Sequence, residues 1–385
     1  MKQRIRGLHD LIAEHAAETE EHRSVAQPVI DALQEAGAFK LATPKRFGGY
    51  QYTIREFVDV NNLIARADGS TAWVSTLINI CNWMTGWFPE RAQQEVWGED
   101  PDARVCGVLA PSATAVREGG GQRITGAWPY ASGSPHAHWA LLGVPVVDEA
   151  GAPVDQGLAL VPLAELSIED TWYVAGMQGT GSNTIVANGV FVPDHRILSI
   201  TRAIEGHSET EFKDETLYRT AFVATLAIIL AGPMTGIAQG ALDRVLASLA
   251  KGKPIAYTFY EDSALAGSTQ INVAEAAEVI DTAVLHMHRC VDSLDAHAAA
   301  GTYPDLIERG RARMDTGYIA RKTREAVDLL MSIQGAGSFA QVNPLQRMWR
   351  DLNTSSRHAV IGPYIASEVY GRALLGVKDQ VTPLI

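Results

Sequence analysis

The feature that most constrains the fold is a hydrophobic pattern that changes twice along the chain. Residues 1–100 show helix-like apolar spacing, as in the stretch AQPVIDALQEAG, which ends at Gly37. Residues 104–200 are instead short runs rich in Val, Ile, Leu, Tyr and Trp, separated by Gly, Pro, Asp and Asn. Helical spacing returns from about residue 210 to residue 376. The chain is therefore expected to contain a helical, then a β, then a second helical domain.

We predict a mixed α and β fold that is mainly α. Its domains are an N-terminal α-helical domain over 1–101, a middle antiparallel β domain over 102–204 and a C-terminal four-helix bundle over 205–385. The bundle rests on four long helical windows joined by short connections. These windows begin near Thr216, Ile271, Asp305 and Ser355.

The charge distribution narrows the range of partners. The formal net charge is −12, and no basic run occurs anywhere in the 385 residues. A nucleic-acid footprint or an anionic membrane surface would require clustered Lys and Arg, so neither partner is expected. The uncharged segment 221–242 is long enough to span a bilayer, but Gly232, Pro233 and Gln239 interrupt it. We predict a buried bundle helix there, not a membrane span.

The cysteines and the N-terminus indicate the compartment. Cys81, Cys106 and Cys290 lie far apart and form no CxxC pair, which fits a reducing cytoplasm without disulfides. The segment MKQRIRGLHDLIAEH has charges every few residues and no apolar core of a secretory signal. A cytoplasmic location is therefore expected.

Several common catalytic patterns are missing. No Glu or Asp stands three residues before any of the eleven histidines, so the Glu-x-x-His pairs of di-iron bundles are absent. The segment QGAGSFA (334–340) fits a GxGxxA fingerprint on paper, but it follows a helix where a dinucleotide site needs a strand. We predict no metal site and no dinucleotide-binding turn.

Four segments taken in order resemble the acyl-CoA dehydrogenase superfamily over nearly the whole chain. They are PKRFGGY (44–50), GAWPYASGSPHAHWALL (126–142), GMQGTGSNTIVANGVFVPDHRIL (176–198) and IQGAGSFAQVNPLQRMWRDLNTSSRHA (333–359). The resemblance implies a helical N-terminal domain, a middle antiparallel β-barrel domain and a C-terminal four-helix bundle, with flavin wedged between the last two.

Dehydrogenases of this superfamily need a carboxylate that takes the proton next to a thioester carbonyl. In most members it lies about nine residues past the Arg of the Arg-Asp pair, where this chain has His358 and Ala359. In others it precedes an LAGP-like stretch, and here ATLAIILAGP has no acid. An apolar side chain cannot act as a general base, which argues against acyl-CoA dehydrogenation.

The chain instead resembles a second branch of the superfamily, the two-component flavin monooxygenases. These proteins take reduced FMN or FAD from a separate flavin reductase and react it with O2. Through a C4a-hydroperoxyflavin they hydroxylate aromatic or polycyclic small molecules. The resemblance therefore implies an oxygenase component with an aromatic substrate, and members of the branch are usually homotetramers.

The resemblance also assigns site residues. Ser132 would bond flavin N5 and O4, and His358 beside the C4a edge would act as an acid and base with a pKa near neutrality. The remaining flavin contacts would come from Trp128, Tyr130, Gln334, Gly335 and Arg350. Substrate contacts would come from Asn82, Trp83 and His138. Arg350 is also expected to form an ion pair with Asp351.

Two departures from the branch leave alternatives open. Many members carry a histidine on the helix before the β domain, where this chain has Cys81 and Asn82. The Arg-x-x-Phe-Gly element that holds the FAD diphosphate is missing before Gln270, which fits loosely held flavin. The rival readings are an acyl-CoA dehydrogenase with an atypical base and a non-enzymatic assembly subunit. N-hydroxylation, S-oxidation and epoxidation also stay open.

Overall fold

Helices at both ends of the chain surround a central β region in the computed structural model, which describes all 385 residues. The N-terminal helices are α1 (Lys2–Arg6), α2 (His9–Glu14), α3 (Ala16–Glu21), α4 (Gln27–Ala36), α5 (Ile54–Ala67), α6 (Gly69–Thr85) and α7 (Glu90–Trp97). The strands are β1 (Val105–Val108), β2 (Ala113–Glu118), β3 (Gly121–Ala131), β4 (Trp139–Val147), β5 (Pro153–Pro162), β6 (Ser167–Glu169), β7 (Asn183–Pro193) and β8 (Ile197–Ser199). The C-terminal helices are α8 (Ile200–Ile204), α9 (Phe222–Ile228), α10 (Ala231–Leu249), α11 (Gly267–Ala300), α12 (Leu306–Gln334), α13 (Pro344–Ser355) and α14 (Pro363–Leu374).

The order helix, strand, helix is confirmed, and the strands form two four-stranded sheets. One has the order β1-β4-β5-β8 and the other β2-β3-β7-β6. A separate apolar core lies between them, with Ile124, Trp128 and Leu142 at its centre. One pairing differs from the antiparallel prediction, because β1 runs parallel to β4. The chain passes through β2 and β3 before it returns to β4, and a crossover of that length permits parallel pairing.

Helices α10, α11, α12 and α14 form the C-terminal bundle. The first long helical window breaks at Ile229 and Leu230, so α9 and α10 are separate helices. Pro233 accounts for the break, because its ring clashes with the carbonyl four residues earlier, that of Ile229, and it lacks a backbone N–H. Placed in the first turn of α10, the proline is tolerated.

Glycines let the uncharged segment at the start of the bundle pack closely against a neighbouring helix. Gly232, Gly236 and Gly240 lie on one face of α10, against the backbone of α5. A Cβ added at Gly236 would stand 2.2 Å from the Asn62 carbonyl oxygen, and one at Gly240 would stand 2.5 Å from the Arg66 carbonyl oxygen. The segment Phe222–Leu249 is the one stretch apolar and long enough to cross a membrane, and 94% of its most apolar window is buried.

A half-buried carboxylate joins the N-terminal helices to the bundle. The two oxygens of Asp295 on α11 accept the backbone N–H groups of Ile54 and Arg55, each at 2.9 Å. These are the first N–H groups of α5, which have no partner within the helix. The last helix before the strands ends at Trp97, and β8 ends at Ser199. The boundaries proposed near residues 101 and 204 stay predictions.

Candidate active site

Trp73 brings together the two residues assigned the central chemistry. Its indole Nε1–H donates to Ser132 Oγ at 3.3 Å. Its ring also packs against the His358 imidazole, with ring centroids 5.8 Å apart and planes inclined by 59°. Trp73 lies on α6, Ser132 follows β3 and His358 follows α13. The N-terminal helices, the strands and the C-terminal helices therefore each contribute one side chain to this cluster, and we call the space beside it the cleft.

Irregular strand pairing positions Ser132. The register between β3 and β7 shifts between Trp128 and Ala131. Tyr130 has a left-handed backbone with φ of 69°, which non-glycine residues rarely adopt. The Ser132 N–H then bonds back to the Tyr130 carbonyl at 2.9 Å. This bend turns the Ser132 hydroxyl toward α6 and the start of β7. Strain of this kind is typical of functional sites.

A row of hydroxyl groups lies behind Ser132. Its Oγ is 2.8 Å from Ser182 Oγ, and Ser182 Oγ is 2.6 Å from Thr180 Oγ1. Thr180 Oγ1 donates to the Met177 carbonyl at 2.9 Å. Ser182 and Thr180 are buried, and Ser132 is 8% exposed. The Ser132 oxygen therefore connects the cleft to a buried polar chain.

His358 lines the cleft between α13 and α14. Its side chain is accessible to solvent, yet the surrounding protein atoms desolvate the ring and lower its pKa to about 4. The expected pKa near neutrality is therefore wrong, and the imidazole is neutral at physiological pH.

The tautomer of His358 follows from its backbone contact. Nδ1 accepts the Val360 N–H at 3.3 Å, so in the neutral ring the proton sits on Nε2. No protein group bonds to Nε2, which leaves an N–H donor free for a ligand. The other tautomer would break the Val360 hydrogen bond, a cost of about 1 kcal/mol.

Asp351 holds the turn that carries the hydroxyl row. Its Oδ1 accepts the Met177 N–H at 2.5 Å, and Met177 has a left-handed backbone with φ of 58°. Burial, and then the nearby carboxylate of Asp68, raise the pKa of Asp351 to about 7. Arg347 lies 3.8 Å from Asp68 and supplies the neighbouring positive charge.

Arg350 does not have the partners expected for it. Its Nη1 lies 2.5 Å from a Glu20 carboxylate oxygen and also 2.5 Å from the Ala175 carbonyl oxygen. Its Nε donates to Gln346 at 2.7 Å. The expected ion pair with Asp351 is therefore wrong, and Nε and Nη1 of the guanidinium bond other protein groups. The flavin contact of Arg350 stays a prediction.

Two predicted residues of the helix before the strands belong to the core. Asn82 is fully buried, and its amide bonds the Phe39 carbonyl, the Thr43 hydroxyl and the Val105 N–H. Trp83 is 1% exposed and donates its indole N–H to the Leu217 carbonyl at 3.1 Å. Neither side chain has a free polar atom or an open surface, so their assignment to substrate binding is wrong.

Two predicted residues of the β domain also lie outside the cleft. Trp128 is completely buried between the two sheets and donates its indole N–H to the Gly143 carbonyl at 2.8 Å. It packs there because the side chains of β3 alternate between the two faces of the sheet. His138 is exposed, and its Nδ1 accepts the Arg104 N–H at 3.0 Å. The flavin role of Trp128 is therefore wrong, and the substrate role of His138 stays a prediction.

Three residues predicted to contact the flavin have exposed surface or a free polar atom that a ligand can reach. Tyr130 is 69% exposed and packs edge-on against Trp172, with ring centroids 5.8 Å apart. Gly335 is exposed at the end of α12, with φ of 63°, and nothing lies within 4 Å of a Cβ built on it. Gln334 is half-buried, and its Oε1 accepts from Ser248 at 3.0 Å while its amide nitrogen is free.

The cleft suits an isoalloxazine ring. Ser132 offers an oxygen for a ring N–H, and the Tyr130 and Trp172 rings offer aromatic surface. Neither position that the resemblance reserves for a proton-abstracting carboxylate carries one. The residues present therefore fit a flavin, and they lack the base that thioester dehydrogenation needs.

Trp73, Ser182, Thr180 and Trp172 were missed in the sequence. Thr180 and Ser182 lie within GMQGTGSNTIVANG, part of a segment that carries the resemblance, so the sequence pointed to their region. Trp73 is the one aromatic residue in the first half of α6, but nothing in the local pattern separates it from an ordinary core tryptophan.

Two surface grooves lie away from this cleft. One, of about 490 Å³, is lined by charged residues of α11 and α12, including Arg321 and Arg324, together with Asn353 on α13 and Arg357 after it. The other, of about 410 Å³, lies around the segment 202–219 and Tyr303. Neither contains Ser132 or His358. No three His, Cys, Asp or Glu side chains come together in a way that would hold a metal ion.

Known proteins match the chain along its whole length. The acyl-CoA dehydrogenase N-terminal domain matches residues 6–100, and the acyl-CoA dehydrogenase C-terminal domain matches residues 228–363. The flavin-dependent monooxygenase oxygenase subunit HsaA of Rhodococcus jostii (strain RHA1) is 35% identical, over 97% of this chain and 98% of its own length. The oxygenase component of the FADH(2)-dependent resorcinol hydroxylase of Rhizobium sp. (strain MTP-10005) is 34% identical, over 98% of this chain and 94% of its own.

A solved structure supports the same assignment. XiaF from Streptomyces sp., in complex with FADH2 and glycerol, superposes with a TM-score of 0.94 at 34% sequence identity. The match covers 100% of this chain and 96% of that one. The chain therefore belongs to the acyl-CoA dehydrogenase superfamily, in the branch formed by the oxygenase components of flavin-dependent monooxygenases.

Proposed function

We propose that this enzyme hydroxylates the ring of a small aromatic molecule that already carries a hydroxyl group, using O2 and a reduced flavin supplied by a separate reductase. The observation that carries the proposal is the contact of Trp73 with both Ser132 and His358. This contact supports a site in which Ser132 accepts a hydrogen bond from the flavin and His358 donates one to the substrate. The resorcinol hydroxylase among its relatives is named for a substrate of this chemical class.

Reduced flavin, when bound, reacts with O2 and supplies the oxygen atom that enters the substrate. Ser132 holds the proton of the ring N–H by accepting it in a hydrogen bond. The Trp73 indole lies against both Ser132 and His358, and its apolar ring would shield the space between them from water. Tyr130 and Trp172 cover the aromatic face near the mouth of the cleft.

His358 serves the substrate as a hydrogen-bond donor. Its neutral ring presents Nε2–H, which suits the oxygen of a phenol or phenolate. A donor aimed at that oxygen favours the ionised form, because it stabilises the negative charge. An ionised phenol is the more electron-rich ring and therefore the better acceptor of an oxygen atom. This role replaces that of a histidine that titrates near neutrality.

Further features of the complex belong to the same proposal. We infer FAD as the flavin, since FADH2 occurs in the names of two similar proteins. The three buried, free cysteines suit a reducing cytoplasm, and the exposed aromatic residues of the bundle suit a homotetramer. Tyr130, Gln334 and Gly335 would contact the flavin.

The test supplies chemically reduced FAD to the protein under nitrogen, then admits isotopically labelled O2 with a panel of phenols. We expect one labelled oxygen atom in a ring-hydroxylated product and little hydrogen peroxide. A protein that yields only peroxide with every phenol would refute ring hydroxylation. Turnover of an acyl-CoA with an artificial electron acceptor would support the dehydrogenase reading instead.

A further inference from the structure

We propose that Thr180 and Ser182 are positioning residues that fix the Ser132 hydroxyl as a hydrogen-bond acceptor and so make the site prefer reduced flavin over oxidised flavin. The inference rests on the proposed contact between Ser132 and the flavin. It concerns two residues that contact neither flavin nor substrate and that act through Ser132.

The direction of every hydrogen bond in the row follows from its buried end. Thr180 Oγ1 bonds the Met177 carbonyl at 2.9 Å, and a carbonyl only accepts, so Thr180 must donate its single proton there. Ser182, 2.6 Å from Thr180, must then donate to Thr180. Ser132, 2.8 Å from Ser182, must donate in turn to Ser182.

Ser132 is left with its proton pointing away from the cleft. Its oxygen accepts the Trp73 Nε1–H at 3.3 Å with one lone pair, and the second lone pair stays free. The group that Ser132 offers to a ligand is therefore an acceptor. The row contains no titratable side chain, so this polarity does not depend on pH.

The two redox states of flavin differ at the atom that meets this acceptor. Reduced flavin carries a hydrogen on N5 and donates it, whereas oxidised N5 carries only a lone pair. A fixed acceptor therefore bonds the reduced ring and faces the oxidised ring with lone pair against lone pair. An oxygenase that receives reduced flavin and releases oxidised flavin after each turnover gains from this difference.

The buried end of the row limits how strong the preference is. Reversing all three hydroxyls would break the bond from Thr180 to Met177, although the Met177 carbonyl would still accept the Trp172 indole N–H at 2.9 Å. The reversal therefore costs about one neutral hydrogen bond. A penalty of that size corresponds to a three- to tenfold preference, at roughly tenfold per 1.4 kcal/mol.

The preference is measured by equilibrium dialysis of the intact protein against FAD, once reduced under nitrogen and once oxidised. The readout is the dissociation constant for oxidised FAD divided by that for reduced FAD, and it does not involve turnover. We expect Ser182→Ala and Thr180→Val each to lower that ratio by roughly three- to tenfold, since either change frees the Ser132 proton to face the flavin. Thr180→Ser keeps the hydroxyl, so this variant should have the same ratio as the unaltered protein.

The chain offers a matched control in a second hydroxyl pair. Thr184 Oγ1 on β7 lies 2.8 Å from Thr171 Oγ1, and neither hydroxyl bonds to the row of Ser132, Ser182 and Thr180. Thr184→Val should leave the ratio unchanged, and thermal unfolding shows whether each variant is folded. Unchanged ratios in folded Ser182→Ala and Thr180→Val would overturn the inference.

A Ser132→Ala variant separates this inference from the proposed function. If Ser132→Ala weakens reduced-flavin binding while the two positioning variants keep the ratio, only the orienting role fails. If Ser132→Ala also leaves both dissociation constants unchanged, the proposed contact between Ser132 and the flavin fails as well, and the inference fails with it.

Discussion

His358 should act as a donor whose charge does not change across the physiological pH range. We expect His358→Gln to retain much of the hydroxylation, because the glutamine amide places an N–H donor near the position of the imidazole Nε2. His358→Ala removes the donor and should lower product formation by roughly ten- to hundredfold, the value of one hydrogen bond to a charged oxygen. The measurement is product formed per flavin oxidised.

The pH dependence of product formation is a second test of the role of His358. With a pKa of about 4, the ring stays neutral above about pH 5, so product formation should show no histidine inflection near neutrality. Flavin oxidation without substrate serves as the control rate. An inflection near pH 6.5 that disappears in His358→Gln would show that the histidine does titrate during turnover, and the donor role would then be wrong.

Asp351 should make stability depend on pH. Its folded pKa of about 7 is above the ordinary value of 3.8, so between about pH 4 and pH 7 the folded protein holds a proton that the unfolded chain does not. The free energy of unfolding should therefore fall as pH rises through this window. The charged groups that face this carboxylate or lie beside it are Asp68, Arg347 and Glu20.

Asp351→Asn tests this dependence. The asparagine can still accept the Met177 N–H but stays neutral, so urea unfolding midpoints should decline less between about pH 5 and pH 8 than those of the unaltered protein. The exposed Asp243 on α10 supplies the control variant, Asp243→Asn, which should leave the pH dependence as it was. If the unfolding midpoint of Asp351→Asn falls with pH as steeply as that of the unaltered protein, Asp351 is not the source of the pH dependence.

The sequence predicted the site only where the resemblance carried a residue position. Ser132 and His358 both contact Trp73, and that residue lies 59 positions before Ser132 in the chain. No local pattern reports a contact over that separation. Asn82 and Trp83 were misassigned because polar and aromatic residues on a helix look alike whether they line a cavity or bond buried backbone groups.

At the scale of elements, the contact between α5 and α10 should tolerate no added methyl group. We expect Gly236→Ala to destabilise the protein by about 1–3 kcal/mol or more, since the new Cβ would meet the Asn62 carbonyl. Gly371→Ala on α14 is the matched control, because nothing lies within 4 Å of a Cβ there. That change should be neutral or stabilise by up to about 1 kcal/mol.

Urea unfolding of the two variants distinguishes close packing from simple helix propensity. If helix propensity dominated, both substitutions would stabilise the protein, because alanine favours a helix over glycine at either position. Opposite signs support close packing of α10 against α5. Equal signs would mean that the two helices can move apart at little cost.

The hydrophobic pattern predicted the elements better than their boundaries and pairings. The alternation between helical and strand spacing is local, so it indicated three domains correctly in type and order. The break before Pro233 and the parallel pairing of β1 with β4 were not predicted. The first depends on where within a helix the proline falls, and the second on which strands the intervening chain visits.

At the scale of the whole molecule, the cleft exists because the three domains pack against one another. Asp351 on α13 bonds Met177 in the connection from β6 to β7, and Asp295 on α11 caps α5. Both contacts join segments more than 170 residues apart in the chain. The geometry around Ser132 and His358 thus belongs to the assembled chain and to no single domain.

The loop between α10 and α11 should take part in self-association. Tyr257 and Phe259 are fully exposed, and the neighbouring Leu265 and Ile271 are 69% and 66% exposed. Aromatic surface of this extent is unfavourable in water and typical of an interface. We expect the double variant Tyr257→Ser, Phe259→Ser to raise the dissociation constant of the oligomer by at least about tenfold, since buried aromatic anchors dominate such contacts.

Sedimentation velocity over a range of protein concentrations measures this change. Val154→Ser on β5 removes a similarly exposed apolar side chain from the β domain, so it should leave the association unchanged. Because Gln334 and Gly335 lie at the far end of α12 in the same bundle, loss of the oligomer should also weaken flavin binding if these residues serve a neighbouring copy. If the double variant associates as the unaltered protein does, the loop is not part of the interface. If the dissociated protein binds flavin unchanged, each chain holds its flavin alone.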